Sequence, residues 1–233
     1  MPTTKRVDSG LVADQRSWPQ STNGKLFFIQ GRYRYECSAS VPPSRSHSVI
    51  LTAAHCVYGP GGWSRKITFV PAYDRGARPF GKWSWRYEAV PRQWWRIGNW
   101  NYDYAAIKLK ANSRGRVGNV VGEQGVAWNY PRRQDYRIIG YPHNIARGKQ
   151  MWSCQSSFRR VDGKRLSGPP ATGVDCNLGA GASGGGWSFY DTTDGGPYLG
   201  SVTSHSLRGV PGILFGPYFT ANVARLIGRV NRN

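Results

Sequence analysis

The sequence has 233 residues, 39% of them apolar, and carries a formal net charge of +20. A chain of this length and composition can bury a substantial core, which excludes a disordered protein. It contains no run of about 18 apolar residues, which excludes a transmembrane helix.

Short apolar and aromatic segments dominate the chain and predict β-strands, because they are separated by glycine, proline and serine about every 8–12 residues. In chain order they are 25–30, 33–41, 48–54, 66–73, 83–90, 103–110, 135–141, 148–157, 185–191, 197–204 and 212–219. This spacing, without helical periodicity, is typical of a β-sandwich or β-barrel. The chain divides near residues 115–125 into two halves of similar length.

The C-terminal segment departs from the strand pattern. Its apolar residues fall at the i, i+3, i+4 and i+7 positions of a short amphipathic helix, and Thr220 or Asn222 could cap its start. These residues are Val223, Leu226, Ile227 and Val230.

The four cysteines form two local pairs, Cys37 with Cys56 and Cys154 with Cys176, separated by 19 and 22 residues. These pairs are the simplest of three possible connectivities, and buried free thiols are the alternative. Disulfides would imply an oxidising compartment, so we expect a secreted protein. No Cys-x-x-Cys or His-Glu-x-x-His motif occurs, and we expect neither a metal nor a cofactor.

The basic charge favours anionic partners, because a positive field attracts nucleic acids, acidic polymers and membrane surfaces. The basic residues are scattered, with the densest groups at 92–96, 131–137 and 157–165. Arginine alternates with Trp and Tyr at 83–100, a pattern that could stack on bases. No nucleic-acid-binding motif accompanies it, so we favour a solvated basic surface over a specific nucleic-acid site.

Three segments carry the residues of a nucleophilic site. VILTAAHC runs from an apolar strand into His55, DYAAIKLK begins with Asp103, and GAGASGGGW holds Ser183. Each residue has an ordinary structural explanation when taken alone: a core histidine, a loop carboxylate and a flexible linker. Together, in the order His, Asp, Ser, they supply a base, an orienting group and a nucleophile.

These segments resemble the TAAHC, Asp-Ala-Leu and Gly-Asp-Ser-Gly-Gly patterns of chymotrypsin-like serine peptidases, and are closest to the secreted bacterial branch related to glutamyl endopeptidases. The resemblance covers roughly residues 23–220 and implies an all-β fold of two six-stranded antiparallel barrels with a short C-terminal α-helix. It implies an N-terminal arm over 1–22, a first barrel over 23–120 and a second half over 121–233 that carries Ser183 and the helix.

The resemblance also assigns roles. His55 would be the general base, Asp103 would orient it and Ser183 would attack a peptide carbonyl. The N–H groups of Gly181 and Ser183 would form the oxyanion hole, which explains why the segment is rich in glycine. We therefore expect a monomeric serine endopeptidase that acts on polypeptides.

Two residues depart from the family pattern. Ala182 stands where trypsin-like enzymes have an aspartate that pairs with a new N-terminus, so other contacts must hold the loop. Gly186 stands where proline is usual, which loosens the turn without removing a catalytic group.

The resemblance locates the substrate pocket on two segments, Asn177 and Leu178 on one side and Val202, Thr203, Ser204 and His205 on the other. No aspartate is present to favour Arg or Lys substrates. His205 at the pocket mouth could bind an acidic side chain, as a histidine does in glutamyl endopeptidases, and a surface histidine is the alternative.

Two rival functions remain from the sequence. One is a catalytically silent member of the fold that binds anionic polymers through the basic surface. The other is an esterase that uses the same three residues. An α/β-hydrolase is disfavoured, because that family has its residues in the order Ser, Asp, His.

Overall fold

A computed structural model describes residues 9–191 and 193–233. Its strands are β1 (Ser9–Leu11), β2 (Asn23–Gln30), β3 (Tyr33–Ser40), β4 (Val49–Thr52), β5 (Tyr58–Gly59), β6 (Gly62–Trp63), β7 (Arg65–Pro71), β8 (Trp83–Ala89), β9 (Ala105–Leu109), β10 (Gly125–Val126), β11 (Asp135–Gly140), β12 (Trp152–Val161), β13 (Thr172–Asp175), β14 (Gly186–Phe189), β15 (Tyr198–Val202), β16 (His205–Leu207) and β17 (Val210–Gly216). Its α-helices are α1 (Arg92–Ile97), α2 (Val117–Val121) and α3 (Ala221–Arg232). Short 3-10 helices span Gln20–Thr22, Ala54–Cys56, Trp100–Tyr102 and Ala146–Gly148.

The first half of the chain forms a closed six-stranded barrel in the order β2-β3-β4-β9-β8-β7. Antiparallel pairing places one face of each strand inside, and the side chains of Leu26, Ile50, Phe69, Trp83 and Ile107 are at most 1% exposed. Burial of these large apolar side chains is the main favourable contribution to the stability of the barrel.

The second half forms one nine-stranded sheet, in which β10-β15-β14-β11-β12-β13-β17-β16 are neighbours and β1 pairs with β12. The sheet curls back on itself. Ser201 Oγ near one end donates to Pro217 O at 2.8 Å, and Ser204 N–H donates to Phe215 O at 2.9 Å. The predicted all-β fold class, with two barrel-like sheets and a short C-terminal helix, is confirmed, but the second sheet has nine strands where six were predicted, and its β10 pairs with β15 in parallel.

Helix α3 packs its apolar face across the body of the protein. Val223, Leu226, Ile227 and Val230 are all buried, as the sequence periodicity predicts. They contact Val49, Leu51 and Ala106 of the first barrel and Leu199 and Val202 of the second sheet in one cluster. Thr220 Oγ1 accepts from Asn222 N–H at 3.4 Å and caps the helix, one of the two caps that the sequence suggested.

Several parts of the structure differ from the sequence prediction, among them the short elements β5, β6, β10, β16 and α2, which were not predicted. Residues 92–97, a basic and aromatic segment in the sequence, form α1 with Trp94 buried and Gly98 as a left-handed C-cap. Strand β13 was missed because it lies in a Gly- and Pro-rich stretch without a clear apolar run. The N-terminal arm adds β1 to the second sheet, while residues 1–8 of the arm lie outside the described residues.

Both predicted disulfides are present, Cys37–Cys56 and Cys154–Cys176. The first joins β3 to the 3-10 helix that carries His55, and the second joins β12 to the segment that leads into Ser183. The cysteine pairing inferred from sequence spacing is therefore confirmed.

Candidate active site

Strand pairing brings His55 and Asp103 together. β4 and β9 are antiparallel neighbours with Thr52 opposite Ala105, so the residues just after β4 and just before β9 meet at one end of the barrel. His55 Nδ1 lies 2.8 Å from Asp103 Oδ2, and the His55 backbone N–H donates to Asp103 Oδ1 at 2.9 Å. The carboxylate therefore fixes both the ring and the backbone of His55.

Asp103 has a third donor and no solvent contact. Ser204 Oγ donates to Asp103 Oδ2 at 2.6 Å, and the residue is fully buried. Burial opposes ionisation, but the charge of His55 and the hydrogen bonds from His55 and Ser204 outweigh it and lower the pKa of Asp103. The carboxylate is thus ionised at neutral pH and aligned with the imidazole.

His55 keeps access to solvent, since 27% of its side chain is exposed. Burial lowers its pKa, but the charge and hydrogen bond of Asp103 outweigh that effect and raise the pKa above its usual 6.5. Trp94 and Trp100 flank the ring, with centroids 6.4 and 6.3 Å from its own. Because Nδ1 is bound to Asp103, Nε2 is the nitrogen that can exchange a proton with a substrate or a nucleophile.

Ser183 is held against the same end of the first barrel. Its carbonyl accepts from Ser38 N–H at 2.7 Å, and Ser38 follows Cys37, whose disulfide partner Cys56 follows His55. Gly184 packs on the end of β4 so closely that a methyl group there would lie 2.0 Å from Thr52 Oγ1. The histidine segment and the serine turn are therefore tied together by a hydrogen bond, a disulfide and direct backbone packing.

The turn that precedes Ser183 is ordered by Ser38 and the residues around His143. Ser38 Oγ donates to Gly181 O at 2.9 Å and accepts from Tyr141 N–H at 3.0 Å.

Asn144 holds the residues just before this turn. Its side chain accepts from Gly179 N–H at 2.8 Å and donates to Asn177 O at 2.9 Å. These contacts hold the loop at Ala182, where the family's aspartate is missing.

The N–H of Gly181 faces away from these anchors. Ala180 O accepts from His143 N–H at 2.7 Å, and across the trans peptide Gly181 N–H must point the opposite way. Within the described part of the chain, neither Gly181 N–H nor Ser183 N–H donates to a protein acceptor. Gly181 has a φ of +89°, which glycine adopts without strain. The turn thus presents two free donors beside Ser183.

The residues predicted to line the substrate pocket do not all lie together in the structure. Val202 and Thr203 lie against the serine turn, because Gly184 N–H donates to Thr203 O and Thr203 N–H donates to Gly185 O. Leu178 is buried in the core of the second sheet, and Asn177 is exposed. Ser204, assigned to the pocket from the sequence, also donates to Asp103 through its hydroxyl.

His205 does not lie at a pocket mouth, where the sequence placed it. Only 6% of its side chain is exposed, and the ring packs between Phe215 and Trp100 with centroids 5.4 and 5.0 Å away. Its Nδ1 is 2.9 Å from Ser204 Oγ. Burial and the charge of Lys164 lower its pKa to about 4, so the ring is neutral at neutral pH.

Several residues that shape this site were not found from the sequence. Ser38 has no sequence signal beyond its place after a cysteine, and its role depends on a partner more than 140 residues away. Trp94 and Trp100 stood out as aromatics, but their position beside His55 follows from α1 and the adjacent 3-10 helix.

Solved structures with this fold have similar sequences. The protease Anisep from Arthrobacter nicotinovorans is 30% identical, with a TM-score of 0.82 over 91% of this chain and 96% of that one. The thermostable serine protease AL20, from an extremophilic microorganism, is also 30% identical, with a TM-score of 0.81 over 91% of this chain and 98% of that one. Fold and sequence agree: the chain belongs to the chymotrypsin-like serine proteases.

Curated relatives match over shorter stretches. The chain is 31% identical over 124 residues to an extracellular metalloprotease of Bacillus subtilis, and 31% identical over 105 residues to a glutamyl endopeptidase of Bacillus licheniformis. These matches cover 52% and 43% of this chain but only 38% and 32% of the relatives, so the chain spans about a third of their length. No family model matches the chain.

The name of the Bacillus subtilis relative raises the question of a metal. Among the described residues, one group of potential ligands is close enough together, namely Cys37, His55 and Cys56. Both sulfur atoms are paired in a disulfide and the imidazole is bound to Asp103, so this group does not fit a metal. In the described part of the chain, no helix is long and apolar enough to cross a bilayer.

Proposed function

We propose that this protein is a serine endopeptidase in which Ser183 is the nucleophile, His55 the general base and Asp103 the orienting group. The observation that carries the proposal is the network in which Asp103 binds His55 Nδ1, His55 N–H and Ser204 Oγ beside the turn that holds Ser183. Such a network leaves His55 Nε2 free to take a proton, which is the requirement for activating a hydroxyl.

In this mechanism, Ser183 Oγ attacks the carbonyl carbon of a peptide bond while its proton passes to His55 Nε2. The carbonyl oxygen becomes negative and accepts from Gly181 N–H and Ser183 N–H. The imidazolium, stabilised by Asp103, then gives its proton to the leaving amine as the C–N bond breaks. Water, deprotonated by the same imidazole, hydrolyses the acyl-enzyme and restores Ser183.

An acidic preference for the residue before the cleaved bond would require a cation in the pocket. His205 is neutral at neutral pH, buried under Trp100 and bonded to Ser204, so we assign it the role of orienting Ser204. We predict that His205→Ala leaves the ratio of kcat/KM for Glu-X and Ala-X peptides within about twofold of wild type. Steady-state cleavage of paired peptides measures it, and selective loss of Glu-X cleavage would restore the carboxylate-binding hypothesis.

The protein is proposed to act outside the cell as a monomer. Two disulfides suit an oxidising compartment, and one curated relative is named an extracellular protease. Polypeptides are the proposed substrates, and the net charge of +20 favours acidic ones during encounter.

Labelling with a fluorophosphonate probe tests the nucleophile directly. We expect stoichiometric modification of wild-type protein at Ser183, mapped by mass spectrometry, and no modification of Ser183→Ala. A matched control is Ser206→Ala, which removes an exposed hydroxyl in β16. Failure of folded wild-type protein to react would overturn the proposal and favour the silent, anion-binding alternative. Cleavage of a peptide beside the corresponding ester separates a peptidase from an esterase.

A further inference from the structure

A groove of about 850 Å³ begins at the serine turn and leads away from it. One end is formed by Ala180 and Gly181. The groove continues between the β2–β3 hairpin and the segment from His143 to Arg147, with Phe28 among its apolar lining. Its lining therefore includes Gly181, whose N–H is assigned to the oxyanion hole.

The walls of this groove are positively charged. Arg34, Lys66 and Arg147 line it and are exposed. Within residues 9–191 and 193–233, none of these three cations forms an ion pair with a carboxylate. Three uncompensated cations in one groove attract a negatively charged ligand.

The one carboxylate in the groove is already neutralised. Glu36 Oε2 lies 2.7 Å from Lys25 Nζ and 2.8 Å from His143 Nε2. Lys25 is buried, with 3% of its side chain exposed, and also donates to Gly148 O at 2.6 Å. Glu36 is thereby committed to holding the His143 loop against β3, and it does not cancel the charge of the three cations.

The position of the groove identifies the part of the substrate that it would hold. None of residues 202–205, which border the serine turn on its other side, lines the groove. The groove instead follows β3, whose Cys37 is bonded to Cys56 beside His55. In the proposed mechanism His55 delivers a proton to the leaving amine, so the chain beyond the cleaved bond would lie on this side.

We propose that this groove selects substrates with an acidic residue among the first four residues after the cleaved bond. The inference rests on the proposed peptidase function and adds a substrate class to it. Exposed ion pairs each contribute little, so three cations acting together should favour Asp over Asn by about three- to tenfold in kcat/KM.

The test uses quenched fluorescent peptides that share all residues before the cleaved bond. Asp and Asn are compared at each of the four positions after it, with the full chain as enzyme. We expect the preference for Asp at one or more positions, and a fall of the Asp/Asn ratio to about twofold or less in Arg147→Gln and Arg34→Gln. Arg229→Gln, an exposed arginine on α3 outside the groove, should keep the wild-type ratio. The ratio should also decline toward unity at about 1 M salt, where the Debye length is about 3 Å.

A binding measurement separates this inference from the function on which it rests. Peptides whose free amino terminus represents the leaving amine are titrated, with Asp or Asn, into Ser183→Ala by fluorescence anisotropy. Tighter binding of the Asp peptide than of the Asn peptide would support an acid-selective groove even if wild-type protein cleaves nothing. This difference should be lost in the double variant Ser183→Ala/Arg147→Gln. Equal binding and equal cleavage of the Asp and Asn peptides would overturn the proposed selectivity of the groove. The peptidase function would still hold in that case, because the peptides would have been cleaved.

Discussion

Asp103→Asn is expected to lower kcat by about 10⁴-fold while leaving the fold intact. In the wild-type protein, Asp103 Oδ2 accepts from both His55 Nδ1 and Ser204 Oγ. An amide at this position can donate to Nδ1, which moves the imidazole proton to Nε2. With Nε2 protonated, His55 cannot take the proton of Ser183. Steady-state kinetics on a fluorogenic peptide measures the change.

The interaction between His55 and Asp103 also predicts how kcat/KM changes with pH. Asp103 stabilises protonated His55, and the net effect raises the His55 pKa above 6.5. Because the base must be neutral to act, kcat/KM should increase with pH and reach half its plateau above 6.5. Asp103→Asn removes the stabilising charge, so its residual activity should show this midpoint at lower pH.

Asp135→Asn is the matched control for Asp103→Asn. Asp135→Asn changes an exposed carboxylate bonded to Ser157, and it should alter kcat by less than about twofold. Circular dichroism on each variant separates loss of chemistry from loss of structure. Wild-type activity in folded Asp103→Asn would mean that His55 is not the base, and the triad would have to be abandoned.

The sequence was most informative where one short segment contains both a strand and the catalytic residue next to it. VILTAAHC contains a buried strand and the histidine that follows it, and its partner DYAAIKLK contains Asp103 and β9. Strand patterns predicted β4 and β9, but it was the resemblance to chymotrypsin-like peptidases that placed His55 and Asp103 in one site. The glycines of the serine turn were also readable, because close backbone packing excludes side chains.

The sequence was least informative where a role depends on contacts between distant segments. The contact of the Ser204 hydroxyl with Asp103 was not predicted, because chain order alone does not show that the two residues meet. His205 has the same residue type as a carboxylate-binding histidine, but the burial that lowers its pKa comes from Trp100 and Phe215. Helix α1 was missed because its residues are mostly basic and exposed, and only one of them, Trp94, is buried.

Gly184→Ala should abolish most activity, because the residue is the contact between the serine turn and the first barrel. Its φ is +77°, which costs other residues about 1–3 kcal/mol. An added methyl group would also lie 2.0 Å from Thr52 Oγ1, 2.4 Å from Ser38 O and 2.7 Å from Ala53 N. The Thr52 hydroxyl already donates to Ser38 O, so it cannot simply rotate away without losing a buried hydrogen bond.

The turn must therefore shift away from β4, carrying Ser183 and the N–H of Gly181 with it. Displacing an oxyanion donor lowers kcat by about 10²–10³-fold, and we expect at least this loss together with slow fluorophosphonate labelling. Thermal unfolding should show a Tm lower by about 5–10 °C, consistent with strain plus a lost hydrogen bond.

Gly195→Ala separates backbone strain from the contact with the barrel. Gly195 has a similar φ of +88°, but nothing lies within 4 Å of the position its methyl group would take. It should lower Tm by a few degrees and leave kcat/KM unchanged. If both variants lost stability equally and both kept full activity, the packing of Gly184 on Thr52 and Ser38 would have no part in positioning Ser183. Loss of activity in Gly184→Ala alone would instead show that the interface between the two barrels positions Ser183. In this chain that interface would take over the role of the aspartate that trypsin-like enzymes have at the position of Ala182.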